Sequence, residues 1–332
     1  MQFDDIRREI ATIARLATPL ALAQFGLTAI GLVDVAVLGH LAAAELGGAA
    51  LGRAINFAAV SFGIGVAAAL EPLAAQAVGA REAGTAWRAF RGALAACGLV
   101  WVPTSALAIG ATWLLAPIGV EPSLIAPARA FLVPQLPGML AFTVFLAAKS
   151  FLQAHERTTS PLLASAVANI VNLVVCNLLV RGDDVLIAIG LPKVGFSPLG
   201  AFGAGVASTL SMFVLAGWTL VAAWRIRPRG ETPLGPTTDA ETSEAEGCLR
   251  TGSTWQVLRI GAPIGLQLLA EIGVFTLTSV LAGKLGTVAV SAHQIALGLA
   301  SFTFMGALGV SGATSVRVGH AVGEGRSPRK AG

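Results

Sequence analysis

Eight stretches of this chain run for about 18 or more residues with few or no charges, long enough to cross a hydrocarbon layer about 30 Å thick as helices rising about 1.5 Å per residue. They fall at approximately Ile10–Leu38, Ala54–Val78, Gly92–Ala116, Ala130–Ala148, Thr158–Val180, Ser197–Trp224, Val257–Gly283 and Val290–Val316. Lipid offers backbone groups no hydrogen-bond partner, so spans of this length are expected as helices that satisfy their own amides. Charged residues make up 12% of the 332, about half of the ~25% usual in soluble domains, which argues against a soluble fold. The 39 glycines, set among abundant alanine, suit helices whose backbones approach closely in lipid. The expected fold is an all-α polytopic membrane protein with eight transmembrane helices. Cys97, Cys176 and Cys248 lack metal-ligand spacing and read as small apolar fillers.

Charge sets the orientation, because Lys and Arg in short loops stay on the cytoplasmic side. Arg53, Arg129, Arg181, Lys193 and Lys284 fall on one side of the span pattern, and the other 17 of the 22 basic residues fall on the opposite side. Both termini are therefore expected in the cytoplasm. The formal charge of +4 then reports topology, and no aromatic-basic patch points to nucleic acid. The start MQFDDIRREI reads as a short amphipathic lead on the membrane surface. No cleavable signal peptide is expected, since the first apolar run is too long for one.

Sliding the chain on itself by 244 residues aligns Arg15 with Arg259, Pro19 with Pro263, Gly39 with Gly283, Gly65 with Gly309, and Ala77-Val78-Gly79 with Ala321-Val322-Gly323. Six spans separate the copies. An even number restores the same orientation, so the repeats are parallel and related by an axis along the membrane normal. Residues 1–224 read as a first lobe of six helices, 225–256 as a cytoplasmic linker rich in Pro, Thr, Glu and Arg, and 257–332 as the first two helices of a second lobe. By its own symmetry the polypeptide is expected to continue for about four more spans, so it reads as C-terminally truncated.

Each ionisable group inside a span demands a reason, since it costs a few kcal/mol at the membrane centre. Glu271 lies near the midplane of the seventh span and Asp34 towards the outer end of the first. A buried carboxylate of this kind can hold a proton, a metal cation or a cationic organic molecule, and each occupant displaces the others by neutralising the same charge. The alternative is a protonated carboxyl bonded to a neighbouring helix. Glu71 and Lys149 read as helix-end or snorkelling charges. His293 and Gln294 open the eighth span, where a histidine is either hydrogen-bonded or a proton relay. Asn169 and Asn172 stand three residues apart on one face of the fifth span, a spacing that serves a cavity or an interhelical bond equally. Pro19 and Pro263 either kink their helices or mark bends that move. Gly200, Gly203 and Gly205 follow no strand and so make no dinucleotide fingerprint. With no HExxH, nucleophile elbow or Walker sequence either, an enzyme is not expected.

Several separated segments carry a resemblance. RLATPLALAQFGLTAIGLVDVAVLGHLAAAELGGAALG followed by GIGVAAALEPLAAQAVGARE resembles the first two helices of the multidrug and toxic compound extrusion (MATE) transporters. The segment from LRIGAPIGLQLLAEIGVF to SVRVGHAVGEG, with AHQIAL inside it, is similar to helices seven and eight of the NorM-type branch. KSFLQAHERTTSPLLASAVANIVNLVVCNLL and PLGAFGAGVASTLS are similar to the region from the fourth to the sixth helix.

The resemblance implies two six-helix lobes around a central cavity, no enzymatic activity, no cofactor, and export of cationic amphiphilic drugs against returning protons or sodium ions. It implies a bacterial inner (plasma) membrane location, organic cations and membrane lipid as partners, and no nucleic acid or obligate protein partner. Asp34 matches the first-helix aspartate associated with proton coupling, and Pro19 the proline at which that helix bends in some members. Glu271 matches the seventh-helix glutamate of NorM-type cation sites, which makes it the candidate Na+ ligand, and Asn172 matches a cavity-side asparagine. The tenth-helix aspartate that shares that cation site lies beyond the sequence. Two other readings stand beside export: a flippase for lipid-linked saccharides, which would want arginine in the cavity, and a non-transporting remnant or scaffold.

Overall fold

The computed structural model describes residues 3–41, 43–188, 192, 195, 197–228, 253–284 and 287–327, and the side chains of these apart from 3–16, 43, 186, 188, 279–284, 287–295, 297–299 and 301–303. The described residues are helical and contain no strand. The first four helices are α1 (Phe3–Leu38), α2 (Ala43–Ala68), α3 (Leu70–Gly79) and α4 (Ala83–Leu114), followed by α5 (Pro122–Leu132). A single 3₁₀ turn, Val133–Gln135, leads into α6 (Leu136–Ala154), then α7 (Thr159–Arg181), the short α8 (Asp183–Ala188) and α9 (Gly200–Arg225). Two further helices, α10 (Thr254–Lys284) and α11 (Thr287–Gly323), end the described chain.

Seven stretches among the described residues are long and apolar enough to cross a membrane: Ala17–Leu38, Ala44–Gly79, Ala83–Leu114, Pro122–Ala154, Thr159–Arg181, Gly200–Arg225 and Thr254–Thr278. The eighth expected span, Val290–Val316, falls within α11, where part of the side chains lie outside the description. Most of the expected linker, residues 229–252, also lies outside it. The polar lead and the first span form one unbroken helix, α1.

Prolines mark where spans are subdivided. Pro72 cannot donate to the carbonyl of Ala68, and its ring crowds that carbonyl, so the second span breaks between α2 and α3. Pro134 and Pro137 do the same around the 3₁₀ turn. Thr209 of α9 donates its hydroxyl to the carbonyl of Pro134 at 2.7 Å, fixing this turn against α9. Gln135 is thereby held at the inner wall.

The repeat seen in sequence recurs in the packing: α10 lies on α2, and α11 lies on α1 and α3. A Cβ at Gly65 would stand 2.3 Å from Gly265, and one at Gly309 would stand 2.8 Å from Ala21. Shifting the first contact by the offset of 244 gives the second. The same holds lower down, where Gly79 abuts the backbone of His320 and Gly323 abuts the backbone of Gln76. Backbones this close leave no room for a side chain, so glycine here is a packing requirement. At the same end Trp87 and Phe90 of α4 enclose Phe151 of α6, with ring centroids 4.7 to 5.6 Å apart.

Candidate functional site

Between α1, α2, α6 and α9 on one side and α10 and α11 on the other lies a cavity of about 580 Å³, walled mainly by apolar side chains. Four ionisable groups face it: Asp34, Arg53, Glu71 and Lys149. An apolar wall with a few convergent polar groups is the usual form of a site for a small organic molecule.

Asp34 is 1% exposed and brings four helices together. Arg53 Nη2 of α2 lies 3.0 Å from Asp34 Oδ2, and Ser208 Oγ of α9 donates to the same oxygen at 2.6 Å. On the other oxygen, Oδ1, Asn172 Nδ2 of α7 donates at 3.4 Å and Cys176 Sγ lies at 3.6 Å. Asn172 and Cys176 are one helical turn apart on α7, which is why both reach one carboxylate. A carboxylate accepts about four hydrogen bonds, so in this arrangement the acceptor positions of Asp34 are filled. One donor and one acceptor are left over, because Arg53 Nε and the amide oxygen of Asn172 are buried without partners among the described residues. The Arg53 guanidinium also lies over the Phe131 ring, 5.4 Å from its centroid.

A second polar group lies further along the cavity. Lys149 Nζ of α6 donates to Gln24 Oε1 of α1 at 3.0 Å. Glu71 of α3 is hydrogen-bonded by Ser315 of α11 and sits within the electrostatic reach of Lys149. Gln24 and Asp34 are ten residues apart on α1, so the two groups are separated by about 15 Å of helix. Between them Asn56 of α2 donates its amide to Gln135 Oε1.

The residues singled out by sequence divide accordingly. Asp34 and Asn172 meet directly. Asn169 instead donates to the carbonyls of Gly26 and Ser165, both at 2.8 Å, and neither asparagine is part of the cavity wall. Glu271 on α10 is exposed, whereas Leu268 and Ile272 beside it face the cavity. Pro19 lies within α1, half-buried, and Pro263 lies within α10, exposed. His293 and Gln294 lie on α11, with their side chains outside the described residues. Glu71 and Lys149 are not snorkelling charges: both line the cavity, where Lys149 reaches Gln24 of α1 and Glu71 meets Ser315 of α11. Arg53 was legible only as a topology charge. Its position ten residues inside α2, whose one other ionisable residue, Glu45, stands in the first turn, was the signal that it needed a partner within the membrane.

Comparison with known proteins shows what the chain as a whole is similar to. A family model described as MatE matches residues 19–178 and 263–331. The probable multidrug resistance protein NorM of Bradyrhizobium diazoefficiens is 33% identical over 316 residues, covering 95% of this chain and 64% of that protein. The multidrug resistance protein NorM of Aliivibrio fischeri is 26% identical over 319 residues, covering 96% and 65%. The chain thus spans just under two thirds of the length of these relatives. Among solved structures, the eukaryotic MATE transporter AtDTX14 shares the fold with a TM-score of 0.80 at 20% identity, over 98% of this chain and 68% of that one. A MOP superfamily transporter from Pyrococcus furiosus has a TM-score of 0.73 at 20% identity, over 94% and 65%.

Proposed function

Because this chain belongs to the MatE family, with NorM-type relatives, we propose that it serves in an antiporter that exports cationic amphiphilic organic compounds against entering protons or sodium ions. It is an integral, multi-pass membrane protein, and the reading places it in a bacterial inner membrane with both termini in the cytoplasm. Residues 1–224 act as the first lobe, 225–256 as the linker and 257–332 as the start of the second.

The observation that carries this reading is Asp34: a buried carboxylate reached from an apolar cavity and held by a basic side chain that lines the same cavity. Asp34 can be neutralised by Arg53, by a proton, by a metal cation or by the cationic group of a substrate. When a substrate cation takes Asp34, Arg53 must withdraw. When a proton takes it, the Asn172 amide can rotate to present its unpartnered oxygen, and Arg53 is released into the cavity with its charge uncompensated. That charge repels a bound organic cation and favours its departure. A cation that bound every conformation equally would shift nothing, so the coupling lies in the difference between the paired and released states of Arg53. Glu271 is assigned the second coupling role, at the exposed face of α10.

Arginine in the cavity is what a flippase for anionic diphosphates would want. Here Arg53 is paired with Asp34 and Lys149 has Glu71 within reach, so neither base is left uncompensated, and cation export is the better supported reading. The test is drug uptake into proteoliposomes under imposed proton or sodium gradients. Asp34→Asn is expected to abolish gradient-driven exchange, and unchanged exchange would remove the mechanism. Glu271→Gln is expected to alter the ion dependence, and an unchanged dependence would remove Glu271 from it.

A further inference from the structure

The far end of the cavity holds a second acid that the Asp34 mechanism does not use. Glu71 projects from α3 into the cavity. Its neighbour Lys149 gives its ammonium to Gln24, and among the described residues no direct ion pair joins the two. Among the described residues the Glu71 carboxylate has Ser315 as its one hydrogen-bonding partner, so most of its acceptor capacity is unspent there. This is the reverse of Asp34, which is fully occupied.

Gln153 of α6 supplies the second, independent observation. It stands one helical turn beyond Lys149, is 3% exposed, and lines the same cavity. Its amide oxygen is buried with no partner among the described residues. A buried acceptor without a donor is costly, and such a group at a cavity wall is suited to a ligand that brings a donor. A carboxylate and an amide oxygen on adjoining helices ask for the same thing: a positively charged group that also carries N–H bonds.

We propose that Glu71 and Gln153 form a second recognition subsite, distinct from Asp34, which takes the protonated primary or secondary amine of an amphiphilic ligand. The inference rests on the export reading and refines its substrate class. A quaternary ammonium has charge but no N–H, so it satisfies Glu71 in part and Gln153 not at all. Lys149 keeps the subsite from holding a cation too tightly, because its own charge lies within reach of Glu71. The wall between the two subsites is mainly apolar, interrupted by the mutually bonded Asn56 and Gln135, so a ligand with an aromatic or aliphatic body fits with its amine at the Glu71 end.

The test uses the chain in lipid nanodiscs and three probes with one apolar body: 4-phenylbutylammonium, its N,N,N-trimethyl analogue and 4-phenylbutyrate. The primary amine is expected to bind about tenfold more tightly than the trimethyl compound, the difference made by one charge-assisted hydrogen bond. Gln153→Leu is expected to remove that preference without weakening the trimethyl compound. Glu71→Gln is expected to weaken both cations, while Asp34→Asn leaves their ratio unchanged. Equal binding of the two cations by the unsubstituted chain, survival of the preference in Gln153→Leu, or tighter binding of 4-phenylbutyrate than of either cation overturns the proposal. If the cations bind equally but Asp34→Asn weakens both, the subsite falls and the export reading stands. If neither cation binds, both fall.

Discussion

Arg53 reaches Asp34, Nη2 to Oδ2 at 3.0 Å, across a position where α1 has no side chain. A Cβ at Gly31 would stand 2.4 Å from Arg53 Nη1, closer than real atoms approach, so the guanidinium would have to move. Gly31→Ala therefore evicts Arg53 from Asp34 without touching either residue, and alanine is the better helix former. Arg53→Met removes the same cation directly. Arg53→Met is expected to tighten equilibrium binding of ethidium by about tenfold, since one unit charge near a partly desolvated site is worth on the order of 1–4 kcal/mol. Gly31→Ala, which frees Asp34 but leaves the charge in the cavity, is expected to tighten it by less. Fluorescence titration in nanodiscs measures it. Unchanged or weaker binding in both variants would show that Arg53 does not compete for the carboxylate.

The donors around Asp34 differ in quality, and stability measurements should rank them. Ser208 Oγ bonds Oδ2 at 2.6 Å, a short contact to a charged acceptor, so Ser208→Ala is expected to cost about 1.5–3 kcal/mol. Asn172 Nδ2 lies at 3.4 Å from Oδ1, near the limit of a hydrogen bond, and Asn172→Leu is expected to cost less than about 1 kcal/mol. In an Asp34→Asn background the Ser208→Ala penalty should shrink by more than half. Unfolding midpoints of the four single and double variants decide this, and a penalty for Ser208→Ala independent of residue 34 would contradict it.

How much of this was legible beforehand depends on range. Spans and their helical state followed from runs of uncharged apolar residues, and the parallel repeat followed from positions such as Gly65 and Gly309. Asp34 stood out because a carboxylate in a span is rarely silent. Its partners did not: Arg53 is 19 residues away and Ser208 is 174 residues away along the chain, and periodicity within a helix does not say which neighbour it faces. Helix ends were also misplaced. Ala83 and Ala154, which bound α4 and α6, lie well beyond the apolar runs, because a helix continues through polar residues until a turn or proline stops it. The inward turn of Glu71 and Lys149 was hidden for the same reason, being set by how α3 packs on α11 and α6, and α6 on α9 and α3.

The helix crossings that carry the repeat should be intolerant of side chains. Gly65 sits against Gly265, with space for a Cβ closed to 2.3 Å by backbone, so Gly65→Val must separate α2 from α10. A cost of about 1–3 kcal/mol is expected, the usual range for overpacking. Gly217, inside α9, has nothing within 4 Å of its Cβ position, and Gly217→Ala should be neutral or stabilising by up to about 1 kcal/mol through helix propensity. Thermal unfolding of the two variants in the same lipid provides the comparison. Equal effects would mean that the crossing is not close-packed.

Acid should loosen the end of the bundle where His155 closes α6. His155 caps that helix just outside the spans, with Nδ1 2.9 Å from the Phe151 carbonyl and its ring 4.5 Å from the Phe151 ring. Burial holds its pKa below the ordinary 6.5; the Phe151 carbonyl opposes the shift, and His320 and Arg157 add to it. His320 is itself tied to the carbonyl of Ala154 at 2.8 Å and lies 3.8 Å from Glu156. Because the folded state holds the proton less well than the unfolded state, the stability linked to His155 is complete above pH about 6.5 and is lost as pH falls towards the folded value. The slope is bounded by one proton, about 1.4 kcal/mol per pH unit. His155→Gln should flatten the stability profile between pH 7.5 and 5, values chosen at about one unit or more on either side of the ordinary histidine pKa, and His320→Gln should narrow the window without abolishing it. Chemical unfolding across that range in a fixed lipid composition reads the slope directly, and an identical slope in His155→Gln would assign the acid sensitivity elsewhere.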